Sequence, residues 1–316
     1  MNHLLPSTAD PTLLDCLRCY FEHKPLKLRT KSQYEAVLRR CFPDWLYRGI
    51  NSITRRDVEE RHKELSLRGK YQANFAGRVL RALYIFAEGY YVDADGEPII
   101  KNPMKIMSAK NLWNKETRRQ RRITAEQMPR FFNALLLMPN RHAADYILFL
   151  LLTGARRSEA AQLLWSDIDL NRGTATAKDT KSRRDHVFPL CDVLWSLLKM
   201  RFVERCPAQS DPVFTAPNGV DAISRYDRSH LFITGVSGVV FCLHDLRRTV
   251  ASVAVETGTH LYSIKRILNH SIDLGGWTEG YVVADQEHLR SCVQVIADTI
   301  LSQAGIDKRE LIKKLK

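Results

Sequence analysis

One short segment divides this chain. Residues 108–122, SAKNLWNKETRRQRR, carry six basic residues and one acidic residue and show little apolar periodicity. A segment of this kind lacks the apolar stripe that a packed helix or strand requires, so we expect it to separate two units, residues 1–107 and residues 123–316. We interpret it as a basic interdomain linker that contacts nucleic acid, because it joins two units that can both touch the same polymer. A solvated charge run is the alternative.

The first unit is predicted to be helical. Apolar residues recur at helical spacing in residues 13–21, 34–42 and 75–86. Thr54 and Asp57 have the spacing of a capping box, which predicts a further helix over residues 55–67. No stretch alternates convincingly, so a small all-α unit follows. The basic residues on its helices include Arg39, Arg40, Arg55, Arg56, Arg78 and Arg81.

The second unit is predicted to be mainly α with a small antiparallel β-sheet (α+β). The strands are residues 174–178 and 186–190, on either side of a polar, basic turn. Thr124 is the expected N-cap of the first helix. The expected helices cover residues 125–137, 143–152, 158–165, 193–203, 243–257, 261–269 and 287–304.

Charge and composition narrow the class of partner. The 316 residues carry a net charge of +13, which favours nucleic acid first and a membrane surface second. No apolar run approaches the roughly 18 residues of a membrane span, and the first ten residues do not look like a secretory signal. We therefore expect a cytoplasmic, nucleoid-associated protein with no membrane partner.

The cysteines predict neither a disulfide framework nor a metal site. There are seven, an odd number at irregular spacings. The one suggestive pair, Cys16 and Cys19, has no second such pair to complete a zinc site, and it lies within a helical pattern. We expect buried thiols in a reduced protein and no metal or other cofactor.

Several short motifs carry chemically useful residues. Arg156 follows Gly154 at a turn between helices, and Glu159 lies three residues on, where it can orient the guanidinium. His244 and Arg247 share a helical face, and His270 follows a leucine and an asparagine. Each motif alone has an ordinary structural explanation, such as a surface ion pair or a histidine at a helix end.

Their order is more specific than any one of them. An arginine in a TGxRxxE turn, a lysine in a β-hairpin, HxxR, LxH and then tyrosine resembles the tyrosine recombinase (phage integrase) family over essentially the whole chain. The resemblance implies a helical, SAM-like core-binding domain over residues 1–107 and a catalytic domain over residues 123–316, which together clamp duplex DNA. Carried over by motif, the catalytic residues are Arg156, Lys181, His244, Arg247, His270 and Tyr281.

Two of these assignments have a rival. The family's lysine lies about eight residues before a strand end like Phe188-Pro189-Leu190, which favours Lys181 over Lys178. Tyr262 is a tyrosine near His270, but it precedes that histidine inside a helix, so we expect Tyr281 to be the nucleophile.

The sequence departs from the family at two positions. The gap between His270 and Tyr281 is eleven residues, where about nine is usual, and the extra residues fall within 273–277. Asn269 replaces the usual glycine. Neither change removes a chemical group.

These residue types suit attack on a phosphodiester. Two arginines can offer paired N–H donors to the non-bridging oxygens. A tyrosine hydroxyl, with a pKa near 10, needs a base, and histidine is the natural one. The resemblance implies that His244 assists proton transfer, that His270 contacts the phosphate and that Lys181 protonates the 5′ leaving oxygen. No P-loop is present, and we expect strand transfer without metal or ATP.

The resemblance implies a site-specific recombinase for integration or excision of a mobile element, acting on double-stranded DNA as a homotetramer on two sites. An accessory DNA-bending or directionality protein is a further implied partner. A type IB topoisomerase-like enzyme, an Xer-type resolvase or invertase and an inactive DNA-binding regulator remain alternatives. About ten residues precede the first helix, so we expect no arm-binding domain. The apolar face of residues 287–304 is expected to dock onto a neighbouring protomer.

Overall fold

The computed structural model describes residues 10–117, 119–178, 180, 185–205, 208, 210–224, 227–270 and 285–315. The chain forms two compact units, residues 1–118 and residues 119–316. The division falls inside the basic segment 108–122. Each unit has a hydrophobic core of its own.

The described part of the first unit is helical. Its long helix α4 (Lys70–Tyr90) packs against three others, and Leu80, Leu83 and Tyr84 of α4 are almost fully buried. The Tyr84 hydroxyl satisfies its buried donor on the Ile50 carbonyl, 2.8 Å away. The helices are α1 (Leu13–His23), α2 (Leu28–Cys41), α3 (Arg55–Arg68), α4 (Lys70–Tyr90) and α5 (Lys105–Ala109).

Helix α3 begins where the capping pattern predicts. The backbone N–H of Asp57 donates to the Thr54 hydroxyl at 3.1 Å, and the Thr54 N–H donates to the Asp57 carboxylate at 2.8 Å. The two contacts satisfy N–H groups that the first helical turn leaves without partners. Thr12 and Asp15 make the same reciprocal pair at the start of α1.

The first half of the basic segment packs on the first unit. Leu112 and Trp113 lie against its core, and the Trp113 ring covers Gly77 closely enough that a Cβ there would lie 2.9 Å from the ring. Asn74 accepts from the Asn114 N–H at 3.0 Å and donates to Glu116 at 2.7 Å. Apolar periodicity could not predict that this half of the segment packs on the first unit, because single anchoring residues leave no periodic signal.

The second unit is mainly helical with a three-stranded antiparallel sheet, as predicted. The strands β1 (Ile168–Asp169), β2 (Thr174–Ala177) and β3 (His186–Pro189) lie in sequence order, and Ala175 pairs with Phe188. The helices are α6 (Met128–Leu136), α7 (Arg141–Thr153), α8 (Arg157–Ala161), α9 (Asp192–Arg205), α10 (Asp227–Ser237), α11 (Leu243–Glu256), α12 (Leu261–Ile267), α13 (Gln286–Gln303) and α14 (Lys308–Leu315).

Some boundaries differ from the sequence prediction. Helix α6 begins at Met128, so Thr124 is not its N-cap. Helix α8 ends at Ala161 and is followed by a separate 3₁₀ turn, Trp165–Asp167. Strand β1 and helix α10 were not predicted, since two residues are too few to alternate and α10 is only weakly amphipathic.

Helix α7 lies at the centre of the second unit. Every residue from Ala143 to Thr153 is buried, and the helix contacts α6, α8, α11 and α13. One of these buried residues is Asp145, whose carboxylate accepts from the Arg201 guanidinium of α9 at 2.6 Å. Arg201 also donates to the Leu315 carbonyl at 2.7 Å, which fixes the end of α14.

The expected docking of α13 onto a neighbour is wrong. Val293, Ile296, Ile300 and Leu301 are at most 2% exposed, and α13 packs against α6, α7, α11 and β3 of its own unit. Its apolar face is therefore part of the core. Within the part of the chain that the structure describes, no helix is long and apolar enough to cross a membrane.

Candidate active site

The turn between α7 and α8 presents the first arginine. Gly154 ends α7 in the left-handed conformation, with φ of 66°, which glycine adopts without steric cost. Arg156 follows as the residue before α8. Its guanidinium donates to Glu159 at 2.7 Å, as the three-residue spacing predicts, and Glu159 also accepts from the Arg156 backbone N–H.

Helix α11 presents the second arginine and the first histidine. Arg247 is 5% exposed, whereas His244, one turn earlier, is exposed. Arg247 donates through one Nη to the Gly154 carbonyl, 2.8 Å away, and through the other to the Leu268 carbonyl. The guanidinium thus ties the turn after α7 to the end of α12.

The end of α12 organises the site. The last carbonyls of a helix have no partner within it, and here the carbonyls of the last residue of α12 and of the two residues after it accept from side chains outside the helix. The Ile267 carbonyl accepts from His186 at 3.1 Å, the Leu268 carbonyl from Arg247, and the Asn269 carbonyl from Arg156 at 2.7 Å. His270 follows directly, so the chain leaves α12 at the point where both arginines meet.

Asn269 turns the chain at this point. Its φ of 47° is left-handed, a conformation that asparagine tolerates better than most residues other than glycine. This explains how asparagine can replace the family's glycine without changing the turn. Its side chain adds a contact that glycine lacks, because Nδ2 donates to the Thr180 hydroxyl at 3.3 Å.

The site is electropositive, and this lowers the pKa values of its histidines. Burial of part of the His244 ring lowers its pKa below the ordinary value, and the charges of Arg248 and Arg247 lower it further. Burial lowers the pKa of His270 as well, with Arg247 and Arg156 contributing. Both rings are therefore neutral at neutral pH, and a neutral imidazole can accept a proton.

The arginines affect each other in the same way. Burial lowers the pKa of Arg247 to about 10, Arg156 adds like-charge repulsion, and Glu159 opposes the shift. Arg247 still carries its charge at neutral pH. Among the described contacts, each guanidinium donates two of its five N–H groups to protein acceptors. The remaining donors allow the pair to bind an anion.

Sequence reasoning missed His186. This residue of β3 is partly buried, its ring lies edge-on to Phe188, and its Nε2 donates to the Ile267 carbonyl. Burial lowers its pKa to about 4, and Arg247 and Arg156 contribute to the shift. The ring is therefore neutral, and it donates to the Ile267 carbonyl without adding a third cation to the site. A histidine three residues before Pro189 was the available signal.

Two sequence-predicted site residues, Lys181 and Tyr281, lie outside the described residues. Their rivals are described. Lys178 forms an ion pair with Asp167 at 2.5 Å, and its pKa is raised by the hydrogen bond to that carboxylate. A raised pKa makes an ammonium a poorer proton donor. Tyr262 lies in the first turn of α12, at the opposite end from His270.

No metal-binding arrangement is found in the described part of the chain, where no three His, Cys, Asp or Glu residues group together. Cys16 is buried in α1, and its thiol lies 3.7 Å from the Leu83 carbonyl. Cys19 is partly buried and its sulfur lies 3.6 Å from His23. The pair belongs to the helical packing of the first unit.

The sequence profile of the phage integrase family matches residues 121–282. The match covers the second unit from the end of the basic segment through His270 and Tyr281. The chain belongs to the phage integrase family, the tyrosine recombinases.

Two curated relatives match parts of the chain. It is 39% identical over 75 residues to prophage integrase IntF of Escherichia coli K12, which covers 24% of this chain and 16% of that protein. It is 30% identical over 181 residues to the tyrosine recombinase XerA of Thermococcus kodakarensis, which covers 53% and 60%. The chain thus spans less than two thirds of either relative.

Solved structures share the fold over most of the chain. The Tn1549 transposon integrase in complex with transposon right-end DNA has a TM-score of 0.66 at 17% identity, covering 89% of this chain and 98% of that one. A lambda integrase tetramer bound to a Holliday junction has a TM-score of 0.63 at 20% identity, covering 84% and 79%.

Proposed function

We propose that this protein is a site-specific DNA recombinase that cleaves and rejoins strands through a covalent 3′-phosphotyrosyl intermediate, for integration or excision of a mobile element. The observation that carries the proposal is the meeting of Arg156, Arg247 and His270 at the carbonyl end of α12, with His244 on the adjoining helix. Two fixed guanidinium groups beside two neutral imidazoles suit a phosphodiester that gains negative charge during attack.

The arginines stabilise the transition state. Both are held by protein carbonyls before substrate binds, so little reorganisation is needed when charge builds up on the non-bridging oxygens. Preorganised donors of this kind are worth about 3–4 kcal/mol each when removed singly. Glu159 keeps Arg156 aimed at this position, and its buried carboxylate offsets part of the positive charge.

The reaction forms one phosphorus–oxygen bond and breaks another. The Tyr281 hydroxyl oxygen attacks phosphorus, its proton passes to His244, and the 5′ oxygen leaves with a proton from Lys181. His270 donates to a phosphate oxygen. The roles of these four residues come from the family resemblance, and Lys181 and Tyr281 lie outside the described residues. The phosphotyrosyl ester keeps the bond energy, so rejoining to another strand needs neither ATP nor a metal ion.

The first unit and the basic segment are proposed to bind the DNA backbone. The first unit corresponds to the helical, SAM-like core-binding domain that the resemblance implies. Within the basic segment, Lys115 and Arg119 are exposed, and phosphate contacts by such side chains give an affinity that falls steeply with salt.

The partners follow the family. We propose double-stranded DNA as substrate and a homotetramer on two sites during synapsis, supported by the lambda integrase tetramer of the same fold. An accessory DNA-bending or directionality protein, and a place beside the nucleoid in the cytoplasm, complete the proposal.

An Xer-type resolvase or invertase is the second candidate, favoured by the match to XerA. It shares the same strand chemistry and differs in the arrangement of sites. Recombination of two cloned sites on one plasmid, compared with sites on two separate plasmids, distinguishes the candidates, because integration joins two molecules whereas resolution and inversion act within one.

The test is a covalent adduct on a nicked suicide duplex. The site is first selected from a random-sequence DNA pool by binding to the protein, and products are resolved on a denaturing gel. Wild type is expected to give a slow-migrating protein–DNA adduct. Tyr281→Phe is expected to give none, whereas the matched variant Tyr262→Phe keeps it.

Two outcomes contradict the proposal in different ways. If wild type binds the selected site but forms no adduct, the protein is a DNA-binding regulator of the same fold rather than a recombinase. If Tyr281→Phe still forms an adduct, the chemistry stands and the nucleophile is another residue.

A further inference from the structure

The end of the basic segment lies along helix α11, which carries His244 and Arg247. The Arg121 guanidinium donates to Asp245 at 2.6 Å, near the start of this helix. The Ile123 N–H donates to the Thr249 hydroxyl at 2.9 Å, one turn further along. Arg122 donates to Glu256, the last residue of α11, at 2.6 Å. Three consecutive residues thus contact α11 from its first turn to its last.

Asp245 is the centre of this contact. It is fully buried, yet its carboxylate carries three hydrogen bonds, from Arg121 at 2.6 Å, from Arg248 at 2.7 Å and from the Cys242 N–H at 2.9 Å. Burial by itself would raise the pKa of Asp245, but the hydrogen bonds from Arg121 and Cys242 hold it below the ordinary value. A buried carboxylate with these partners is ionised and holds them in place.

Asp245 lies next to His244 and one turn of helix from Arg248. The bond from the Cys242 N–H to Asp245 caps the first turn of α11, and that turn contains His244. Loosening Asp245 would therefore let the first turn of α11 fray. Small displacements of a catalytic group are costly, because about 1 Å can lower a rate about 100-fold.

We propose that Arg121 is a positioning residue. Its ion pair with Asp245, called the clasp below, fixes the first turn of α11, which carries His244 and leads into the turn that carries Arg247. This inference rests on the proposed recombinase function. It assigns four of the six cations of residues 108–122 to two groups. Arg121 and Arg122, which each bind a carboxylate of α11, serve the protein, whereas Lys115 and Arg119 serve the DNA.

The two roles differ in what they change. A phosphate contact contributes about 0.9 to the slope of log affinity against log salt, and its loss leaves chemistry on bound DNA intact. A positioning contact leaves that slope unchanged and alters the rate of cleavage once DNA is bound. The same substitution at two neighbouring arginines therefore distinguishes them.

The experiment compares Arg121→Gln with Arg119→Gln, and uses Arg309→Gln as a control on the exposed surface of α14. DNA affinity is measured at several salt concentrations, and single-turnover adduct formation is measured with all the DNA bound. Arg121→Gln is expected to lower the cleavage rate constant 10- to 100-fold. Its slope of log DNA affinity against log salt is expected to equal that of wild type. Arg119→Gln is expected to lower the salt slope by about 0.9. Arg309→Gln is expected to match wild type in both.

Arg121→Lys tests whether charge alone suffices. It keeps a cation near Asp245 but loses the planar Nε–H donor, so partial recovery of the rate is expected. This milder variant also gives the comparison should Arg121→Gln fail to fold. The clasp is refuted if Arg121→Gln lowers the salt slope as Arg119→Gln does, or if both its slope and its rate equal those of wild type.

A readout without chemistry separates this proposal from the recombinase assignment. Amide hydrogen exchange over residues 243–249 is expected to be faster in Arg121→Gln than in wild type, with no change over α13. If wild type forms no adduct but this difference is seen, the clasp stands and the enzyme assignment fails. Unchanged exchange in Arg121→Gln overturns the clasp.

Discussion

Gly154 provides the sharpest test of how the site is held together. Its φ of 66° is left-handed, and a Cβ added there would lie 2.7 Å from Leu268 Cδ2 and 3.2 Å from Val250 Cγ1. The Leu268 carbonyl accepts from one Nη of Arg247, and the Gly154 carbonyl accepts from the other Nη of the same guanidinium. Gly154→Ala therefore strains the backbone and pushes apart the two acceptors of Arg247.

The size of the effect follows from two contributions. A left-handed alanine costs about 1–2 kcal/mol, partly offset by the loss of about 0.4–1 kcal/mol of unfolded-state freedom. Overpacking against Leu268 and Val250 adds about 1–3 kcal/mol. The expected loss of unfolding free energy is about 1–5 kcal/mol, or roughly 2–20 °C in Tm for a unit of this size.

Gly258→Ala is the matched control. Gly258 is equally left-handed, with φ of 72°, but nothing lies within 4 Å of the added Cβ. It therefore reports the backbone cost alone, about 1 kcal/mol or less. The difference between the two variants in urea denaturation isolates the packing contribution. Adduct formation, measured at a temperature below the melting points found for both variants, should fall more than 10-fold in Gly154→Ala and remain near wild type in Gly258→Ala. Equal destabilisation of the two variants would refute the reasoning.

Two further predictions concern ionisable side chains inside the second unit, His186 and the Arg201–Asp145 pair. The pKa of His186 is about 4 when folded and about 6.5 when unfolded, so the unfolded chain binds more protons between these values and stability falls as pH drops from about 6.5 to 4. His186→Gln should flatten this slope in urea denaturation, and an unchanged slope would contradict the assignment. Arg201→Gln leaves Asp145 buried without its cation and should cost about 3–5 kcal/mol. Arg172→Gln, at an exposed pair with Asp169, should leave the denaturation midpoint nearly unchanged; similar losses in the two variants would count against the buried pair.

Some of the site was predictable because it depends on local spacing. Glu159 lies three positions after Arg156, and Asp57 three positions after Thr54, and helix geometry brings such pairs together whatever lies around them. The β-hairpin was predictable for a similar reason, since alternation and a polar turn determine it locally. Lys181 and Tyr281 stay predictions from the family's spacing.

Other parts could not be predicted, because the partner is distant in the chain. The apolar face of α13 suits either a neighbouring protomer or its own core, and only the packing against α6, α7 and α11 decided for the core. His186 shows no motif, and its role emerges only where β3 meets the end of α12. Arg121 looked like its basic neighbours until its carboxylate partner, 124 residues away, was known.

The sequence by itself determined which chemical groups are available, namely the arginines and the histidines. It also determined the helical periodicity and the order of motifs that identifies the family. The tertiary structure decided how they are held, through three successive carbonyls at the end of α12 and a buried carboxylate at the start of α11. The physical reason is that hydrogen bonds to backbone carbonyls carry no side-chain signature. Any residue can supply such an acceptor, and only the fold determines which helix end faces which guanidinium.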